Sequence, residues 1–281
     1  MNEFLQTNYD LNNKEVVSVI DELPLWSAPF GLKLLDKIKY RKNICALDIG
    51  SGLGFPLLEV AMRLGSSCKL YGIDPWEAAN ERVKTKIRIY GISNVELIDG
   101  VSEDIPLPDK SVDLIFSNNG LNNVSDLKKV LSECRRISKS GSQLVFTFNT
   151  DKTMIEFYSA LEDVLEEKNM REEIKLMGEH IYQKRKPVDE CVLLLKEFGY
   201  KVNEIVHDEF SYQFVDGTAM YNHFLIRLAF MESWRLLIPE EKRNEIFSLV
   251  EKRLNVYSEK KSGLNLSVPF CLIDSSLVSA I

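Results

Sequence analysis

Three glycines at alternate positions follow a short apolar run that contains an acid. The segment from Ala46 to Phe55 places Gly50, Gly52 and Gly54 directly after Asp48 and Ile49, and an apolar stretch follows. Glycine lacks a Cβ atom, so the backbone can turn sharply there and a ligand can lie directly on it. Free N–H groups at the start of the helix predicted next favour negative or polar ligand atoms. The motif predicts a site for a nucleotide-like cofactor, and a ligand-free strand-to-helix turn is the alternative.

The spacing of the glycines separates two classes of cofactor. A dinucleotide fingerprint, G-x-G-x-x-G, needs a third glycine, but that position is Phe55 when counted from Gly50 and Leu57 when counted from Gly52. With Asp48 before it, the G-x-G-x-G turn resembles motif I of the class I S-adenosylmethionine-dependent methyltransferases, in particular the type 11 small-molecule group. The resemblance implies S-adenosyl-L-methionine as cofactor and S-adenosyl-L-homocysteine as product.

A second acid stands where that family binds the ribose of its cofactor. Asp74 ends the second predicted strand, 24 residues after Gly50, and a carboxylate can accept hydrogen bonds from two hydroxyls at once. The resemblance places Pro75 and Trp76 beside the adenine. The alternative is a helix N-cap at Asp74 with Pro75 in the first turn.

The loop after the third predicted strand departs from the family pattern. The stretch from Asp99 to Pro106 resembles the family's adenine-binding loop, but Val101 stands where the family has an acid. Ser102 is expected to offer a backbone N–H to the ring. Asp99 and Glu103 are the candidate replacements for the missing acid.

The fourth predicted strand ends in a loop rich in asparagine, at residues 117–123, where the family faces the transferred methyl group. Asparagines at a strand end suit a polar substrate, and they are also ordinary turn formers. The cofactor-binding residues implied by the resemblance are Asp48, Gly50, Ser51, Gly52, Gly54, Asp74, Pro75, Trp76, Val101, Ser102, Ser117 and Asn118. The expected substrate-binding residues are Trp26, Asn119, Asn122 and Tyr221.

Histidines supply the candidate bases. A sulfonium methyl group is already activated, so the protein mainly aligns a nucleophile and excludes water. A hydroxyl or ammonium acceptor also needs a base, for which histidine is the usual residue near neutral pH. His180 and His223 lie in segments predicted to form lid helices and are the candidates, whereas His207 lies within a strand. A structural role is the alternative for each. Histidines and cysteines are too sparse to predict a metal site.

Strands and helices alternate from Asn43 to Phe148, which predicts an α/β fold with a doubly wound parallel sheet and helices on both faces. The family resemblance adds two strands, Tyr200 to Val215 and Leu264 to Ile273, giving seven strands of which the last is antiparallel. The expected boundaries within one domain of residues 1–281 are an N-terminal helical cap at 1–40, a cofactor-binding core at 41–149, helical insertions forming a substrate lid at 150–186 and 217–256, and sheet-completing segments at 187–216 and 257–281.

Composition and charge limit the kinds of partner and the location that we expect for this protein. Acidic residues outnumber basic ones, 42 to 35, and the formal net charge of −7 disfavours nucleic acid as substrate. Five cysteines without C-x-x-C spacing indicate reduced thiols in a cytoplasmic protein. The polar N-terminal segment resembles no signal peptide, and no apolar run is long enough to span a membrane. We expect a monomer or homodimer.

These observations predict methyl transfer from S-adenosylmethionine to an oxygen, nitrogen, sulfur or carbon nucleophile of a small molecule, by in-line displacement. Three alternatives stay open. An NAD-dependent oxidoreductase needs glycine where Phe55 stands, a non-catalytic S-adenosylmethionine-binding module lacks an acceptor pocket, and a methyltransferase of macromolecules needs a basic or grooved surface.

Overall fold

The computed structural model describes residues 3–6, 9–22 and 25–278. The chain divides into two compact units. The sheet unit comprises Leu11–Asn149, Lys186–Asp208 and Phe270–Ile281, and the helical unit comprises Met1–Asp10, Thr150–Arg185 and Glu209–Pro269. Residues 1, 2, 7, 8, 23 and 24 of the predicted cap, and residues 279–281 of the last predicted segment, lie outside the described residues.

Seven strands form one sheet in the order β3-β2-β1-β4-β5-β7-β6. They are β1 (Cys45–Ile49), β2 (Lys69–Asp74), β3 (Val95–Asp99), β4 (Val112–Asn118), β5 (Ser138–Asn149), β6 (Tyr200–Phe214) and β7 (Leu264–Leu277). Neighbours among the first five strands are parallel, and β7 runs antiparallel to β5. The predicted mostly parallel, seven-stranded sheet with an antiparallel last strand is therefore confirmed.

Twelve α-helices occur among the described residues. The helices of the sheet unit are α1 (Lys14–Glu22), α2 (Ser27–Lys37), α3 (Leu57–Leu64), α4 (Glu77–Tyr90), α5 (Leu127–Ile137) and α8 (Val188–Glu197). The helices of the helical unit are α6 (Ile155–Glu167), α7 (Arg171–Lys184), α9 (Gly217–Asn222), α10 (Phe224–Ala229), α11 (Met231–Leu236) and α12 (Arg243–Lys261). Within the described ranges, none of these helices has the length and apolar character needed to cross a bilayer.

The sheet is covered on both faces because successive strand residues point in opposite directions. Leu47 and Ile49 of β1 pack in one apolar cluster with residues of α5 and α8. Ala46, the neighbour of Leu47 in β1, packs in a second cluster with residues of α2, α3 and α4. This alternation gives the doubly wound arrangement and leaves the carboxyl ends of the strands to carry a site.

The two predicted helical insertions contain helices of very different length. The charged stretch from Arg171, within the predicted insertion 150–186, forms α7, whose one fully buried residue is Met177. The predicted insertion 217–256 begins with three short helices. His223 adopts an extended conformation between the first two, and Phe230 leaves helical geometry between the second and third.

Aromatic side chains build the interior of the helical unit. The rings of Phe157 and Trp234 stack with centroids 3.6 Å apart, and the Trp234 Nε1 donates a hydrogen bond to the Tyr158 hydroxyl at 3.2 Å. Tyr221 stacks on Phe4 at 4.4 Å. The rings of Phe157, Tyr158, Tyr221 and Trp234 are all almost fully buried, so they form a close-packed aromatic core.

Candidate functional site

A cavity of about 520 Å³ opens at the carboxyl ends of β1 to β4 in the sheet unit. Its volume lies within the roughly 300–1,000 Å³ of small-molecule sites. Neighbouring β1 and β4 are where the winding of the sheet reverses, and open α/β sheets bind ligands at this switch point. The lining residues are Trp26, Ile49, Gly50, Gly52, Ile73, Asp74, Pro75, Trp76, Val101, Ser102, Glu103, Asn118, Asn119, Gly120, Asn123, Val124 and Ser125.

The glycine turn after β1 forms part of the cavity wall. Gly50, Gly52 and Gly54 all have positive φ angles, of 73°, 48° and 91°, which side chains rarely tolerate. A Cβ atom on Gly50 would lie 2.9 Å from the Gly120 Cα, and one on Gly120 would lie 2.5 Å from the Ile49 carbonyl oxygen. The loops after β1 and β4 therefore meet backbone to backbone. A Cβ on Gly52 would meet nothing within 4 Å.

Phe55 explains the spacing of the motif. A Cβ atom added to Gly31 of α2 would overlap the Phe55 ring, so this ring packs directly on the α2 backbone. In a dinucleotide fingerprint the corresponding glycine lets helix and strand approach closely. Here the position is occupied by a ring that fills the space between the turn and α2, and α3 begins only at Leu57.

Asp48 is a buried acid that lacks a partner among the described residues. Its side chain is fully buried and neither carboxylate oxygen has a hydrogen bond. Burial, and secondarily the charge of Asp74, raise the pKa of Asp48 well above its ordinary value, while the nearby Leu57 N–H, outside hydrogen-bond geometry, lowers it slightly. The hydroxyl of Ser51 is also buried without a partner. Such groups are uncommon in structural cores and mark functional sites.

Asp74 fastens the glycine turn to the next strand end. Its Oδ2 accepts a hydrogen bond from the Gly52 N–H, and its Oδ1 accepts one from the Trp76 N–H, both at 2.9 Å. Each carboxylate oxygen has a second acceptor position, so Asp74 can hold the backbone and still face the cavity that it lines. The Trp76 indole donates to the Leu11 carbonyl at 2.8 Å, which fixes the ring beside Pro75.

The loop after β3 contributes one carboxylate to the cavity. Glu103 lines it, and its Oε1 accepts hydrogen bonds from the backbone N–H groups of Ser125 and Asp126 at 2.7 and 3.1 Å. Asp99 is absent from the lining and accepts a hydrogen bond from Asn80. Of the two candidate replacements for the acid missing at Val101, only Glu103 therefore borders the space.

Ser117 and Asn118 tie the end of β4 to neighbouring elements. The Ser117 hydroxyl donates to the Ile49 carbonyl at 2.7 Å. The Asn118 amide donates to the Ser27 carbonyl, and its oxygen accepts from the Thr147 hydroxyl, both at 3.0 Å. Asn118 lines the cavity, whereas Ser117 lies behind it.

The asparagines that follow β4 form hydrogen bonds with one another. Asn119 has a φ of 59°, and its side-chain oxygen accepts from the Asn122 amide at 2.7 Å and from the Asn149 N–H at 3.2 Å. Asn119 and Asn123 line the cavity, and Asn122 does not. The turn-forming role of these residues is thus visible, and Asn119 presents part of its surface to the cavity as well.

The remaining candidates belong to the helical unit. His180 lies half-buried on α7, where burial and then the charges of Arg185 and Lys184 lower its pKa. Burial also lowers the pKa of His223, whose Nδ1 is buried and has no hydrogen-bond partner. Tyr221 is fully buried in the aromatic core with its hydroxyl unpaired, and burial raises its pKa. The structure thus groups the cofactor candidates in one unit and both histidines in the other.

Some residues that line the cavity are not predicted by the sequence analysis. Ile49 and Ile73 lie at or next to the ends of two adjacent parallel strands, and such ends share one edge of the sheet. Val124 and Ser125 match no motif, and the role of Ser125 depends on a hydrogen bond from its N–H to distant Glu103. In the described part of the chain, no group of three or more histidine, cysteine, aspartate or glutamate side chains could hold a metal ion.

The part of the chain that supplies most of the cavity lining is similar to known proteins. Residues 47–146 match the family model described as a methyltransferase domain. A demethylmenaquinone methyltransferase of Geobacillus stearothermophilus is 31% identical over 124 residues, which cover 44% of this chain and 53% of the relative. The chain therefore matches about half the length of the relatives of this kind.

Solved structures share the fold over almost the whole chain. Geranyl diphosphate methyltransferase in complex with S-adenosylmethionine gives a TM-score of 0.56 at 16% identity, covering 98% of this chain and 94% of that one. The [4+2]-cyclase SpnF gives 0.54 at 13% identity, covering 90% and 82%. At these identities the likeness concerns the fold alone. Together with the domain match, it confirms the resemblance carried by the glycine motif: this chain has the class I methyltransferase fold, and its residues 47–146 are similar to a methyltransferase domain.

Proposed function

We propose that this protein transfers the methyl group of S-adenosylmethionine to a small-molecule acceptor by in-line displacement. The observation that carries the proposal is the charge of the strand-end cavity. Asp74 and Glu103 line it, and no lysine, arginine or histidine appears among its lining residues. A cavity of this charge favours a cationic ligand such as a sulfonium over the pyrophosphate of a dinucleotide.

The residues present fit this cofactor. S-adenosylmethionine, when bound, supplies a methyl group on a positively charged sulfur that is already an activated electrophile. Asp74 keeps acceptor positions for ligand hydroxyls, and Asp48 and Ser51 offer buried oxygens without partners. Gly52 lines the cavity and has open space beside it, so a ligand can lie on its bare backbone. The full proposed cofactor set is that of the family resemblance: Asp48, Gly50, Ser51, Gly52, Gly54, Asp74, Pro75, Trp76, Val101, Ser102, Ser117 and Asn118.

For the acceptor we propose Trp26, Asn119, Asn122 and Tyr221. Trp26 and Asn119 line the cavity, and Asn122 supports Asn119 through its amide. The helical segments 150–186 and 217–256, with Tyr221, form the proposed substrate lid. His180 and His223 are proposed bases or substrate-binding groups, since a lowered pKa leaves each imidazole neutral near pH 7, as a general base must be.

The likeness to a cyclase means that fold alone does not decide the reaction, so binding and turnover need separate tests. The first is a thermal shift assay with S-adenosylmethionine, S-adenosylhomocysteine and NAD. A ligand at ~100 times its dissociation constant adds roughly 2.7 kcal/mol of stability. We expect stabilisation by both adenosyl compounds and none by NAD. The proposal is wrong if NAD alone stabilises the protein.

The second test is turnover. S-adenosylhomocysteine formation is measured with a panel of small-molecule nucleophiles, and with RNA, DNA and protein as separate arms. We expect product only with small molecules, in keeping with the formal charge of −7. Binding without turnover in any arm would favour a non-catalytic module. Light scattering checks the proposed monomer or homodimer, and fractionation checks the proposed cytoplasmic location.

A further inference from the structure

Arg185, directly after α7 in the helical unit, is a buried cation with few partners. Its side chain is only 5% exposed. One guanidinium nitrogen donates to the Thr153 carbonyl at 3.3 Å, and the guanidinium carbon lies 5.4 Å from the centroid of the Tyr158 ring. Among the described residues, no carboxylate forms an ion pair with it. A guanidinium has five N–H donors, so most of its capacity is unused.

Arg185 is the one arginine among the described residues that is buried. Arg253 on α12 of the same unit, which is more exposed, forms ion pairs with Asp163 at 2.8 Å and Glu167 at 2.6 Å. Acids are therefore available in the unit, yet none in the described ranges forms an ion pair with Arg185. Burying an unpaired charge is strongly unfavourable unless another group compensates it. The unpaired nitrogens of Arg185 are not fully enclosed, so an anion from outside the chain can reach them.

The surroundings of Arg185 are suited to an anion. Lys184 precedes Arg185 in the chain, and the charges of both lower the pKa of nearby His180, after the larger effect of its burial. The Tyr158 ring forms a flat wall, and its hydroxyl is held by the Trp234 indole at 3.2 Å. A rigid wall beside a planar guanidinium leaves the remaining N–H groups in fixed directions.

We propose that Arg185, with Tyr158 and His180 beside it, forms a subsite for an oxyanion, a carboxylate or a phosphate, carried by the small molecule that this protein binds. The forked donors of arginine match the paired oxygens of both groups. That this small molecule is the methyl acceptor rests on the proposed function. Binding of the oxyanion itself can be measured without methyl transfer.

The test uses the full chain with two probes, inorganic phosphate and acetate, at constant ionic strength set with chloride. Calorimetry and thermal shift compare the wild type with Arg185→Met and with Lys184→Met, which removes the same charge from the exposed neighbour. We expect saturable binding of at least one probe, weakened roughly tenfold or more by Arg185→Met, the scale of a lost charge-assisted hydrogen bond. Lys184→Met should change affinity less than about twofold because an exposed charge is screened. The probe that binds more tightly identifies the group.

Stability separates this role from a structural one. Without added anion, Arg185→Met should melt at the same temperature as the wild type or higher, because it removes an unpaired buried charge. A clearly lower melting temperature, unchanged probe affinity, or a wild type that binds neither probe saturably would overturn the proposal. If Arg185→Met does not fold, the shorter neutral variant Arg185→Gln is judged by the same criteria. Loss of S-adenosylmethionine binding with intact probe binding would contradict only the proposed function.

Discussion

The two units handle polar groups in opposite ways. In the sheet unit, the cavity is walled by glycine backbone, and its carboxylates Asp74 and Glu103 are tied to N–H groups of the turns. In the helical unit, polar atoms sit on side chains inside an aromatic core, and the Tyr221 hydroxyl and the His223 Nδ1 have no partner among the described residues. The cavity of the sheet unit is therefore shaped by main chain, and the interior of the helical unit is shaped by side chains.

This difference has a functional meaning. Backbone geometry set by positive φ angles and close loop contacts leaves little room for substitution, which suits the proposed cofactor because that molecule is always the same. Side chains in a packed core can be exchanged while volume is conserved, which suits a substrate that differs between related proteins. We therefore expect substitutions in the two units to affect different properties.

The largest effect is expected at the contact between the β1 and β4 loops. Gly120→Ala places a methyl group 2.5 Å from the Ile49 carbonyl oxygen and should lower the free energy of unfolding by about 3 kcal/mol, since backbone cannot yield like a side chain. Gly52→Ala is the matched control. Its methyl meets nothing, so only the positive φ should matter, at about 1 kcal/mol. Urea unfolding measures both, and equal losses would refute a backbone-built cavity.

Asp74→Ala should come next. Loss of the carboxylate removes proposed ligand contacts and the acceptor for the Gly52 and Trp76 N–H groups. Affinity for S-adenosylmethionine should fall by about 1 to 3 kcal/mol, the scale of lost charged hydrogen bonds. Isothermal calorimetry gives the value, and circular dichroism confirms folding. Wild-type affinity in a folded variant would remove Asp74 from the site.

Asp48→Asn tests the buried acid through pH. Because its pKa is raised in the folded state, the folded protein holds a proton that the unfolded chain releases, so Asp48 reduces stability as pH rises above about 4. Without ligand, Asp48→Asn should therefore be more stable than the wild type at pH 7 by about 1 kcal/mol, the size of one unmet buried polar group. The difference should vanish near pH 4. A pH-independent difference would mean that titration of Asp48 is not its cause.

The smallest effect is expected from Arg253→Met in the helical unit. Arg253 is part-exposed and paired with Asp163 and Glu167, and such pairs contribute about 0.5 kcal/mol. Thermal unfolding should show a shift of this size that shrinks in high salt. Phosphate and acetate binding should stay as in the wild type. Loss of anion binding in Arg253→Met would show that binding depends on the positive charge of the unit in general. That result would contradict a specific role for Arg185.

The sequence predicts most of the sheet unit for physical reasons. Buried parallel strands are short apolar runs, and residues just after them meet at one edge, so the strand pattern and the family resemblance together place Gly50, Asp74 and Val101 at one cavity. Helix α7 gives a weaker signal, because it is rich in charge and its apolar face of Ile174, Met177 and Ile181 has Met177 as its one fully buried residue. The hydrogen bonds of Glu103 to the Ser125 turn and the packing of Phe55 on Gly31 join distant parts of the chain. No local pattern encodes them.

The antiparallel pairing of β5 with β7 also affects the order in which the sheet can form during synthesis. Residues Gln143 to Asn149 of β5 pair with β7, which follows α6 to α12 in chain order. During synthesis, the edge of β5 that pairs with β7 therefore stays unpaired until α6 to α12 have been translated. Open strand edges template pairing with other chains. A chain ending before Leu264 should consequently aggregate through β5, and chaperone demand in cells should rise with any delay in translating residues 150–263.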